Sequence, residues 1–236
     1  MRVKVHYSSS RGNLYEIISR GGLRLIIDPG VTYKKMLEAL KYNLDGIVGC
    51  IAGHSHKDHC KALLDVAEAG VDCYASQETL ESVGLQDSYR ADAVADKTLI
   101  NSIDGFQIYC FDVHHDCKGS LGFVIREIKT NEYLLYAIDT AYLHQKFPYP
   151  FSIIMIECSF DHAILADRVE KNDIHEALAK RLLTSHMSKD TCLTYLRDHC
   201  DLSKCREIHL LHMSGDNIDK KETRKEFEDA LFLKVI

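Results

Sequence analysis

The sequence predicts an α/β protein in which two sheets are covered by helices, a four-layer αββα sandwich, and three observations lead there. Short apolar runs rich in β-branched residues recur along the chain, helical patterns lie between and after them, and no linker breaks the series. Length agrees. A chain of 236 residues buries one sizeable core, whereas two independent halves would each be small, so residues 1–236 read as one domain.

Taken in order, strands are expected at Arg2 to Tyr7 and Leu14 to Ile18, then, after the Gly21-Gly22 turn, at Leu23 to Ile27, which Asp28-Pro29-Gly30 stops. A helix fits Tyr33 to Lys41, where Met36, Leu37 and Leu40 share a face. Strand Gly46 to Ala52 runs into Gly53-His54-Ser55-His56. A helix from His59 to Ala69, strand Val71 to Ala75 and helix Gln77 to Ser82 follow. The middle carries strands near Thr98 to Ile100, Gly105 to Val113, Gly122 to Ile128 and Tyr133 to Ile138. The last third reads as strand Ser152 to Glu157, helices Ile174 to Thr184 and Lys189 to His199, strand Glu207 to His212 and a charged helix from Lys220.

Composition excludes several classes. With 46% hydrophobic and 27% charged residues the chain is neither disordered nor collagen-like. The net charge of -6 gives no global attraction to polyanions, so nucleic-acid binding would need a local patch built from residues such as Lys34, Lys35, Lys41, Lys118, Lys129, Lys189, Lys204 and Arg206. Met1 to Asn13 lacks the apolar centre of a signal peptide, and no run is long enough to span a membrane; a cytoplasmic location without membrane attachment is expected. The 9 cysteines form no C-x-x-C pair, which argues against a disulfide framework or zinc ribbon and for small buried hydrophobes.

The strongest local signal is His54-Ser55-His56-Lys57-Asp58-His59, at the end of an apolar strand. Its chance occurrence is on the order of one in 500. His54 and His56 face one way in an extended loop, and Asp58 and His59 at the next helix start face a second point, which suits two metal ions. Imidazoles and carboxylates without thiolate suit Zn²⁺, with Mn²⁺ or iron also accepted by such a set.

With this motif the chain resembles the metallo-β-lactamase superfamily, and the likeness continues through Phe111-Asp112-Val113-His114-His115-Asp116, Tyr136-Ala137-Ile138-Asp139-Thr140 and Leu210-Leu211-His212-Met213-Ser214. The resemblance implies the metallo-β-lactamase fold and two divalent metals. His54, His56 and His115 would hold one, Asp58, His59 and His212 the other, and Asp139 would bridge them. His115 is favoured over the adjacent His114. Secreted lactam-hydrolysing members carry Cys where Asp139 stands, and di-iron redox members carry Glu where His56 stands, so both subfamilies are disfavoured.

Ser8 to Asn13, Glu157-Cys158-Ser159-Phe160-Asp161, Ser185-His186-Met187-Ser188 and His212-Met213-Ser214-Gly215-Asp216-Asn217 resemble the phosphodiesterase and nuclease branch, including RNase Z-like and YycJ-like proteins. In that likeness His186, oriented by Glu157, donates a proton to the leaving oxygen. Ser185 stands where the branch usually has Gly, and Ser188 also reads as the cap of the following helix. The intervals leave no room for an inserted domain or tRNA-gripping arm, which favours a small phosphodiester.

The chain also resembles phage anti-Pycsar phosphodiesterases. That likeness implies a homodimer hydrolysing a 3′,5′-cyclic nucleotide to a nucleoside monophosphate, with Asp58 orienting or deprotonating the water. A YycJ-like DNA or RNA nuclease is the alternative; a glyoxalase II-type thioesterase or a non-catalytic metal-binding protein is weaker. Tyr142 and the segment Phe147-Pro148-Tyr149-Pro150-Phe151 are candidates for stacking on a base, contacting a partner subunit or packing on the core.

Overall fold

Short β-branched runs ended by turn residues set the first strands, and the computed structural model, which describes residues 1–236, follows them closely. The strands make two mixed sheets accompanied by helices, the α/β class expected. Packing divides the chain into two compact units: Met1–Asp112 with Cys117–Glu132, and Val113–Asp116 with Tyr133–Ile236.

The first unit contains β1 (Arg2–Tyr7), β2 (Leu14–Ile18), β3 (Arg24–Ile27), α1 (Tyr33–Ala39), β4 (Ile47–Ile51), α2 (Lys57–Cys60), α3 (Leu63–Glu68), β5 (Cys73–Ala75), α4 (Gln77–Val83), β6 (Ala91–Ala93), β7 (Leu99–Ile100), β8 (Phe106–Asp112) and β9 (Leu121–Glu127). β1, β2 and β3 pair antiparallel, and β3 to β6 continue in parallel. Parallel neighbours require crossovers, which α1, α3 and α4 supply. Their apolar faces meet the sheet in one cluster that includes Ile26, Met36, Cys50, Leu63, Val66, Cys73 and Leu80. Truncating Leu63 to Ala there would cost about 2 to 5 kcal/mol. β7, β8 and β9 form an antiparallel ribbon.

The second unit contains β10 (Glu132–Ala137, from Tyr133), β11 (Phe151–Glu157), α5 (His162–Glu170), α6 (Glu176–Ser185), α7 (Lys189–His199), β12 (Glu207–Leu211), α8 (Lys220–Leu231) and β13 (Lys234–Val235). β10 to β13 pair in parallel. β11 is buried along its whole length, which explains its unbroken apolar run.

Several expectations change. The helix expected from His59 to Ala69 is two helices, because the Ala62 N–H bonds the Pro29 carbonyl at 2.8 Å instead of its own preceding turn. α5 was hidden by the Glu157-to-Asp161 motif, yet Asp161 is its N-cap and accepts from the Ala163 N–H at 2.7 Å. β6 and β13 span only 3 and 2 residues, too short for periodicity to reveal. Seven of the nine cysteines are buried and none is in a disulfide. No helix is long and apolar enough to cross a membrane.

Candidate metal centre

Donor side chains lie just past the carboxyl ends of strands, His54, Asp139 and His212 after parallel ones and His115 after antiparallel β8, where side chains are no longer committed to the core. In the first unit β4 ends at Ile51, and His54 follows, almost fully buried. α2 begins immediately after His56, whose carbonyl accepts from the His59 and Cys60 N–H groups at 2.9 and 3.2 Å. That single turn carries Asp58 and His59. The ring centroids of His54 and His59 are 4.1 Å apart, and those of His54 and His56 are 4.7 Å apart, edge to face. His54 Nε2 lies 3.0 Å from His56 Nδ1. Two nitrogens on one tetrahedral cation, each at about 2.0 to 2.1 Å, sit about 3.3 Å apart, so this spacing fits shared ligation.

His59 is aimed by a residue that motif reading passed over. The buried Asp28 carboxylate meets His59 Nδ1 through Oδ2 at 2.8 Å and accepts the Gly53 N–H through Oδ1 at 2.7 Å. A carboxylate on one imidazole nitrogen orients the ring and makes the other a better donor. Asp28 occupies the left-handed region at φ 50°, a conformation Asp tolerates better than most residues. It looked like an ordinary strand terminator; the buried strand that precedes it was the available signal. Asn13 completes the support. Its Nδ2 donates to the Asp58 carbonyl at 3.0 Å and lies 3.1 Å from His59 Nε2. Gly30 is required beside it, since a Cβ there would stand 1.6 Å from the Asp58 carbonyl oxygen.

In the second unit Asp139 follows β10 and His212 follows β12, both buried or nearly so and both left-handed, at φ 50° and 55°. Such backbone in a non-glycine residue is uncommon and collects at functional sites. His212 Nδ1 and Asp139 Oδ1 are 2.7 Å apart. His115 Nε2 lies 4.0 Å from Asp139 Oδ2, while its Nδ1 faces the Ser185 carbonyl at 3.1 Å. That carbonyl favours the Nδ1–H tautomer, and Asp116 Oδ1 stands 3.2 Å from Nε2. Burial lowers the His115 pKa against the opposing pull of Asp139, which favours the neutral, ligating form. His114 turns elsewhere and stacks on Tyr142.

Asp139, Glu157, His186 and His212 offer donor atoms that all lie within 4.8 Å of one another. Two of them are already engaged with each other. His186 Nδ1 meets Glu157 Oε1 at 2.6 Å, and Glu157 Oε2 accepts the Thr140 N–H at 2.8 Å. Burial pulls the His186 pKa down, but the Glu157 and Asp139 carboxylates outweigh it and raise it to about 9. Such a contact favours the protonated imidazole, with Nδ1 turned to Glu157. Ser188 does cap α7, accepting from the Thr191 N–H at 3.2 Å.

The downstream motifs are stitched together by backbone bonds. The Ser159 N–H donates to the Met187 carbonyl at 2.9 Å, and the Asp161 N–H to the Asn217 carbonyl at 2.8 Å. Among the lysines considered as a basic patch, Lys189 pairs with Asp161 and Glu226, and Lys118 with Glu78. The aromatic segment divides. Phe147 and Phe151 are buried and in edge contact, and Tyr149 stacks on Tyr133 at 4.5 Å.

The sequence profile of the beta-lactamase superfamily domain matches residues 23–198. No curated protein matches the chain. Among solved structures, the metallo-beta-lactamase fold protein YhfI from Bacillus subtilis is similar with a TM-score of 0.72 at 16% identity, covering 99% of this chain and 94% of its own. A diphosphatase of the PhnP family has a TM-score of 0.68 at 14% identity, over 99% and 93% of the two chains. The short form of human tRNase Z has a TM-score of 0.58 at 14% identity, over 91% and 93%.

Proposed function

Because the chain belongs to the metallo-β-lactamase superfamily of metal-dependent hydrolases, we propose that it is a dinuclear phosphodiesterase acting on a small phosphodiester, with a 3′,5′-cyclic nucleotide as the preferred substrate. The observation that carries this reading is the pairing of half-buried His186 with buried Glu157 beside Asp139 and His212. An alkoxide leaves poorly without a proton, and a carboxylate-held histidine beside a ligand set supplies one.

In this reading His54, His56 and His115 would hold one cation, Asp58, His59 and His212 would hold the other, and Asp139 would serve both. Zn²⁺ is the expected metal and Mn²⁺ a substitute, because the donors are imidazole and carboxylate. When bound, the two cations neutralise charge on the phosphoryl oxygens and lower the pKa of the attacking water. The chain's own groups do the rest. Asp58, whose carboxylate is partly open to solvent, orients or deprotonates the water. Glu157 fixes the His186 ring through Nδ1, and Nε2 delivers the proton to the leaving oxygen. A homodimer in the cytoplasm is part of the proposal.

The similarity to human tRNase Z favours one competing reading, a nuclease using the same side chains on DNA or RNA. Incubating the purified protein with Mn²⁺ or Zn²⁺ and a panel of cyclic nucleotides, bis-p-nitrophenyl phosphate, single-stranded and duplex DNA, and RNA separates the two. Turnover of a cyclic nucleotide with polymers left intact is expected. Cleavage of polymers with cyclic nucleotides untouched overturns the preferred reading.

A further inference from the structure

Next to the ligand candidates of the second unit stand three rings that neither the core nor the proposed proton transfer uses. Tyr142 stacks on His114, with centroids 4.4 Å apart and planes 20° apart, and its hydroxyl lies 3.1 Å from His114 Nδ1. His144 approaches Tyr142 at 4.5 Å but is tilted by 58°, so it leans on the tyrosine without stacking. Tyr142 is half-buried, and His114 and His144 are exposed. A stacked pair of rings with a third, tilted ring beside it forms a π surface outside the core and open to solvent.

Their placement is fixed through buried Thr140. Its Oγ1 accepts the His114 N–H at 3.0 Å and donates to the Tyr142 carbonyl at 2.7 Å, while its N–H is held by Glu157. The Ala141 N–H closes on the His114 carbonyl at 2.9 Å. One residue thus ties the ring pair to the carboxylate that orients His186. His114 immediately precedes His115, and Tyr142 comes three residues after Asp139.

We propose that Tyr142, backed by His114 and flanked by the exposed His144 ring, is the stacking platform for a nucleobase, which makes the substrate class nucleotide esters and not base-free phosphodiesters. This rests on the phosphodiesterase reading of the same site. The base takes the Tyr142 face that His114 does not cover, beside the exposed His144 ring. Stacking tolerates any base, since each has a π face. The platform therefore selects for the presence of a base more than for its identity.

The test uses two esters with the same leaving group, thymidine 5′-(p-nitrophenyl phosphate) and methyl p-nitrophenyl phosphate, on the metal-loaded protein. The ratio of their kcat/KM values reads the platform, and calorimetric binding of AMP against ribose 5-phosphate reads it without turnover. The wild type is expected to favour the base-bearing ligand in both. Tyr142→Ala and Tyr142→Leu should each shrink the preference roughly five- to tenfold, whereas Tyr142→Phe, which keeps the ring, should retain it. Comparable far-ultraviolet circular dichroism establishes that the variants are folded. An unchanged preference in the folded Ala and Leu variants overturns the platform. Equal hydrolysis of both esters by the wild type also overturns it and leaves the phosphodiesterase reading standing. Base-dependent binding with neither ester cleaved overturns the phosphodiesterase reading instead.

Discussion

The two units supply their candidate ligands in opposite ways. In the first, His54, His56, Asp58 and His59 lie within six positions, and one short loop and one helical turn present them all. In the second, the ligands His115, Asp139 and His212 and the Glu157–His186 pair beside them come from different loops and strand ends, and Asp139 and His212 have left-handed backbone. The contiguous set is a local device that would look much the same on another scaffold. The dispersed set exists only after the parallel strands have paired. Loss of one donor should therefore act locally in the first unit, while in the second it should disturb neighbours that share its contacts.

The largest effect expected is from the contiguous set. His56→Ala combined with Asp58→Ala should lower turnover by roughly a thousandfold or more and reduce bound metal, measured by kinetics and elemental analysis. Undiminished turnover would refute the ligand assignment. In the dispersed set His186→Ala should cost roughly 10²- to 10⁴-fold on an ester with an alkoxide leaving group, and far less on a p-nitrophenyl ester, which leaves without a proton. Equal losses on both substrates would remove the proton-donor role.

A smaller effect is expected from Asp28→Asn, which keeps the shape but weakens the charge on His59. Metal affinity should fall roughly 10- to 100-fold in a chelator competition assay, with the fold retained. Affinity unchanged within twofold would make Asp28 a structural residue only.

These predictions also mark what the sequence makes legible. The contiguous set was readable because its chemistry is local, whereas Asp139 and His212 were candidates through the family resemblance of the motifs that hold them. The left-handed conformations of Asp28, Asp139 and His212 were not readable, since they follow from strand pairing and not from local propensity. Asp28 was missed for the same reason: its partner His59 lies 31 positions away and meets it only when β3 and β4 pair in parallel. The break between α2 and α3 depends on a bond from Ala62 to the Pro29 carbonyl, likewise a product of tertiary structure. Tyr142 was singled out, but its stacking on His114 needed the Thr140 bridge to be seen.

Acid stability sharpens the comparison further, with the smallest effect. Glu16 in β2 is buried; burial opposes its ionisation, but His6, Arg24 and Lys4 outweigh it and hold its pKa down to about 2, from 4.5. Its folded pKa is depressed, so its contribution is present above pH 4.5 and lost as pH falls toward 2. Glu16→Gln should cost about 2 to 3 kcal/mol at pH 7 in urea unfolding and flatten that limb. In the second unit, His209 of β12 is buried and its pKa is lowered from 6.5 by desolvation, against the opposing pull of Glu207. Its contribution is present above pH 6.5 and is lost as pH falls below it. Acidification should thus weaken the dispersed unit first. A His209→Gln protein with the same stability slope between pH 7 and 5 as the wild type would contradict this.

The most direct test of the whole account is the number of divalent cations held per chain, read by native mass spectrometry after loading with Zn²⁺ and desalting. Two per chain are expected in the wild type, falling in the His56→Ala, Asp58→Ala protein and in a separate His212→Ala protein. A folded wild-type chain that retains no cation, or only one, would contradict a dinuclear centre drawn from both sets of ligands.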